Sequence, residues 1–79
     1  MDLDTPAGMQ DAANWVTSII NLLKDEGSWA VPRSGTIYTF HKTLKHYTRI
    51  GGGDPSTERV LEYLGWTFSP TTTTTTQTR

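Results

Sequence analysis

The feature that most limits what this 79-residue chain can fold into lies near its N-terminus. Met9, Ala12, Ala13, Val16, Ile19, Ile20 and Leu23 recur there at intervals of three and four. That spacing lines one face of a helix with 3.6 residues per turn, and Gln10, Asn14, Thr17, Asn21 and Lys24 fall opposite. Thr5 followed by Pro6 is a start signal. The hydroxyl can accept from an orphan amide, and proline's missing donor does no harm at the first helical position. Asp25, Glu26 and Gly27 end the pattern, the glycine suiting a left-handed cap. Trp15 and Leu22 widen the apolar stripe, and if both stand exposed, the helix carries a second apolar face fit for a dimer or a partner groove. A helix with so continuous a greasy face needs a second layer to cover it.

The remainder of the chain supplies that layer. Trp29 and Val31 form a short extended piece closed by Pro32 and a turn at Arg33-Ser34-Gly35. The span 36–41 reads as a strand and 44–50 as its partner, with a tight connection around Lys42-Thr43. A three-residue loop at 41–43 would put Tyr38 and Phe40 on one face with Leu44, His46, Thr48 and Ile50, leaving Thr39, Lys45, Tyr47 and Arg49 opposite. A two-residue loop would instead set Lys45, Tyr47 and Arg49 beside Tyr38 and Phe40. The first separates apolar from basic more cleanly and is the register expected. Gly51 to Gly53 form a flexible connector before Asp54-Pro55, a second start signal. Val60, Leu61 and Leu64 are the buried stripe of a short helix that stops at Gly65. Trp66-Thr67-Phe68 alternates again, as a final strand would. The fold class is therefore α+β: a long N-terminal amphipathic helix packed on a small antiparallel β-hairpin or three-stranded sheet, then a short second helix. One domain spans 1–69. The stretch 70–79, with six consecutive threonines, has nothing to bury and reads as a disordered tail.

Charge is unevenly spread. Residues 1–26 hold five acids against Lys24, whereas 27–53 hold no acid, four cations, both histidines and four of the eight aromatics. The absence of cysteine removes disulfides and thiolate metal sites, so an intracellular, cytoplasmic setting is expected. No apolar run approaches the roughly 20 residues of a membrane span. Catalytic signatures are thin: His41 and His46 have no carboxylate nearby in sequence, and a chain this small has little room for a substrate cavity. No enzyme activity, metal or cofactor is expected.

The basic, aromatic-studded centre is the expected binding site, across 33–49. Arg33, Lys42, Lys45 and Arg49 are of the type that neutralises phosphates, His41 and His46 add charge below neutral pH, and Tyr47 or Trp29 offers a stacking face for an unpaired base. The sequence thus points to a small non-catalytic module engaging nucleic acid, or an acidic protein of the nucleic-acid machinery. Against this stands the plainer view that four cations on a hairpin are a solvated edge discouraging sheet-to-sheet association. A helix-turn-helix with 44–50 as its first helix fits less well, because Thr48 and Ile50 favour strand. The second reading is a protein-protein adaptor or inhibitor, of the sort small viral or mobile-element proteins supply. It would use the apolar face of the first helix on a host protein. Whether the chain acts as a monomer or a homodimer is left open by the sequence.

Overall fold

The computed structural model describes residues 2–70. The threonine run, read above as a disordered tail, lies outside the described residues. Helix α1 spans Pro6–Leu22. Thr5, in extended conformation, accepts the Gly8 N–H on its hydroxyl at 3.0 Å, as its position before a proline predicts. Ala12, Ala13, Val16 and Ile20 of the expected stripe are buried. Helix α2 spans Pro55–Tyr63, and its Asp54 cap accepts from Thr57 N–H.

Between the helices run strands β1 (Gly27–Ala30), β2 (Ile37–His41) and β3 (His46–Ile50), and after α2 comes β4 (Thr67–Phe68). The sheet order is β1-β2-β3-β4. The first three strands are antiparallel, and β4 runs parallel to β3, so the sheet is mixed. Both helices pack on one of its faces. Tyr38, Phe40 and Tyr47 point into that side and join Val16, Ile20, Val60 and Leu61 in one core. The opposite face, with Ile37, Thr39, Thr48 and Ile50, is uncovered.

The hairpin register differs from the one expected. His41 pairs with His46, so the connection is the four-residue turn Lys42 to Lys45, and Leu44 lies in that turn with most of its surface exposed. An even loop length reverses the expected face. Tyr47 and Arg49 lie beside Phe40 and Tyr38, on the helix side. The reason is partnership. Tyr47 closes the aromatic core, and Arg49 reaches the Glu58 carboxylate with Nη1 at 2.7 and 2.8 Å, so a cation can stand at the core margin. Lys45 takes a left-handed φ of 58° to complete the turn. The Asp25 carboxylate holds it in place by accepting from the backbone of Lys42 (2.6 Å) and Thr43 (3.3 Å).

Candidate interaction surfaces

The six side chains expected to form a site can be followed one by one. Arg33, in the β1–β2 turn, donates through Nη2 to both oxygens of Asp54, at 2.9 and 3.2 Å, while 68% of its side chain stays exposed. Arg49 is held by Glu58 and lies over the Phe68 ring, 4.4 Å from its centroid. Lys42 Nζ donates to the carbonyl of Leu23 at 2.8 Å, at the C-terminal end of α1. Lys45 Nζ donates to the carbonyl of Leu64 at 3.3 Å and sits 4.9 Å from the centre of the Trp66 ring. Both lysines thus meet the negative end of a helix dipole. His41 Nδ1 is 4.0 Å from Glu26, and Tyr47, only 4% exposed, presents no free stacking face.

Their placement divides these groups. Arg33 and Arg49 gather around the start of α2, whereas Lys42 and Lys45 occupy the turn at the other end of the hairpin, about 13 Å along the strands. Among the described residues, each of the four cations has an intramolecular acceptor.

What the sequence did not disclose is the polar cluster they help to build. The Tyr38 hydroxyl donates to Glu58 Oε2 at 2.8 Å and accepts the Asp54 N–H at 2.8 Å. Asp54 also accepts from the Thr57 hydroxyl. Burial pushes the Tyr38 phenol well above its ordinary range, and the bond to Glu58 adds to the shift. Burial would raise the Asp54 carboxyl too, but bonds from Thr57 and Arg33 outweigh it and leave it below the usual carboxylate range. Gly53 belongs to this cluster. Its φ is 89°, and an added Cβ would stand 2.9 Å from Glu58 Oε2 and 3.3 Å from Arg49 Nε, so both conformation and space require glycine. Each side chain here finds a partner within the cluster, so the cluster is a clamp fastening α2 to β2 and β3.

The apolar surface is less fully consumed. Trp15 is 48% exposed and Leu22 87%, both about 100° around α1 from the core stripe, with half-buried Ile19 between them. Trp15 meets the Trp29 ring of β1 edge-on at 5.5 Å. Trp15 also lines a pocket of about 100 Å³, together with the apolar Leu3, Ala12, Val16 and Val60 and the polar Arg33, Ser56 and Thr57. The signal for this flank was present in the sequence: Trp15 and Leu22 fall outside the heptad-like core positions. Among the described residues no group of three His, Cys, Asp or Glu side chains is placed to hold a metal, and no helix is long and apolar enough to cross a membrane. No protein family, curated protein or solved structure matches the chain.

Proposed function

We propose that the chain is a non-catalytic protein-interaction module, an adaptor or inhibitor that docks a partner protein along the exposed flank of α1. The observation carrying this reading is the exposure of Trp15 and Leu22 in a molecule whose other large α1 apolar residues, Met9, Val16, Ile19 and Ile20, are buried or half-buried. Covering a side chain of this size is worth about 1.5–3 kcal/mol, and aromatic anchors beside a pocket are the usual centres of binding energy. The pocket next to Trp15 has room for one aliphatic side chain of the partner.

The test is a pulldown from nuclease-treated lysate in high salt, comparing the natural chain with Leu22→Asp and Trp15→Ser. Leu22 makes so few contacts that its replacement leaves the fold intact. A partner retained in high salt and lost with Leu22→Asp supports the reading; a partner indifferent to both substitutions overturns it.

An anionic partner, nucleic acid or an acidic protein, is the second reading. It draws on Arg33, whose exposed guanidinium has donors beyond the Nη2 that meets Asp54. It requires binding that weakens steeply with salt and with Arg33→Gln. Such behaviour, with Leu22→Asp silent, would place this reading first.

A further inference from the structure

We propose that β1 is the seam of a symmetric dimer, in which the β1 strands of two copies pair antiparallel and join their sheets into one. This rests on the reading that the flank of α1 bearing Trp15 is an interaction surface, and sets a second copy of the chain along β1, whose Trp29 meets that Trp15. The starting point is the direction of the β1 backbone groups. Val31 N–H donates to Thr36 O at 2.9 Å. Alternation along an antiparallel ladder then turns the amides and carbonyls of Ser28 and Ala30 away from β2, towards the open edge of the sheet. Both residues are exposed.

The edge is bounded at each end. Two residues before Ser28, the Glu26 N–H is withdrawn into the sheet by a bond to Phe40 O at 2.8 Å, made possible by a left-handed φ of 63°. Two residues after Ala30 stands Pro32, which has no N–H. The free edge is therefore a single unit of donor, acceptor, donor and acceptor. The far edge, β4, is shorter still and runs into Pro70.

Two-fold symmetry then fixes the register. Pairing Ser28 with itself would set Ala30 against the inward-turned Glu26, and pairing Ala30 with itself would set Ser28 against Pro32. Only Ser28 opposite Ala30 of the second copy lets each pair exchange both of its backbone bonds. Trp29 then lies on the axis, opposite Trp29 of the second copy in the closer, non-hydrogen-bonded type of pair. With each Trp29 already against its own Trp15, the aromatic contact runs continuously across the seam. Charge agrees. Glu26, with 72% of its side chain exposed at one end of β1, is brought beside Pro32 and Arg33 of the second copy, and that arginine is 68% exposed.

Sedimentation equilibrium on the purified chain should show a reversible dimer of about twice the 8.8 kDa chain mass, with a Kd on the order of 10–100 µM for so short a seam. Amide exchange should slow with rising concentration at Ser28 and Ala30. Ala30→Pro removes an outward N–H that β2 does not use, so it should abolish the dimer while circular dichroism still shows a folded chain. Should that variant unfold, Glu26→Arg serves instead, since like charges at the seam should raise Kd about tenfold. A chain that stays monomeric at about 1 mM overturns the dimer, as does a dimer that persists in folded Ala30→Pro. Leu22→Asp, which decides the wider reading, lies outside the seam. The two therefore fail separately.

Discussion

Replacing Glu58 by alanine should be the most damaging single change at the clamp, and its size follows from what is left behind. Tyr38 is fully buried, and its hydroxyl loses its acceptor, at about 1–3 kcal/mol. Arg49 loses both bonds, but about a quarter of each partner is exposed and water re-solvates the guanidinium, which limits that part to about 1 kcal/mol. The loss of roughly 2–4 kcal/mol compares with a total stability of about 4–12 kcal/mol for a domain of this length. In urea, with a slope of about 1–2 kcal/mol/M, the midpoint should fall by about 2 M. Glu62→Ala is the control: one helical turn on, exposed, and with no side-chain hydrogen-bond or ion-pair partner among the described residues, it should shift stability by less than about 0.5 kcal/mol. Tyr38→Phe combined with Glu58→Ala should be less costly than the two apart, because both remove the same bond. A Glu58→Ala change as mild as the control would refute the argument that this cluster ties α2 to the hairpin.

Other outcomes follow from the same geometry. Asp25, lowered chiefly by its bond from Thr43 N–H, and Asp54 both titrate below the usual range. Their stabilisation is complete above the unfolded value of about 4 and is lost as pH falls through the folded values. A urea midpoint that is flat from neutrality to about pH 5 and drops below about pH 4 is expected, with Asp54→Asn flattening the drop. For Tyr38 the sign is opposite: its raised phenol stabilises below about pH 10 and loses that contribution as pH climbs further, so Tyr38→Phe should blunt alkaline unfolding followed by circular dichroism. Gly53→Ala should cost about 1–3 kcal/mol in a thermal melt, since it meets both a positive φ and the Glu58–Arg49 pair.

How much of this could be read from residues alone divides along the distance over which information acts. Both helix starts were legible because Thr5-Pro6 and Asp54-Pro55 carry their chemistry within a few residues, as did the buried positions of α1 and α2. The hairpin register was not. Alternation through 44–50 fits either face, and what decides between them is Arg49 meeting Glu58 and Tyr38 meeting Asp54, contacts that no local pattern encodes. The same limit applied to the charges. Arg33 and Asp54 stand 21 residues apart in the chain, so a count along the sequence saw a basic block where the fold makes a pair. Trp15 was visible as an addition to the stripe, but only packing could tell whether it was covered.

The parallel return of β4 decides from which side the molecule can be handled. Ser69 donates to Tyr47 O, so the backbone leaves Pro70 along the far border of the sheet, with β2 and β3 between it and β1, some 14 Å away. A fluorophore or surface tether joined at that proline therefore sits at the border opposite Trp15 and Trp29. Immobilisation at Pro70 leaves the α1–β1 side open to whatever is flowed over it, whereas a tag at Asp4 starts on the helix that side is built from.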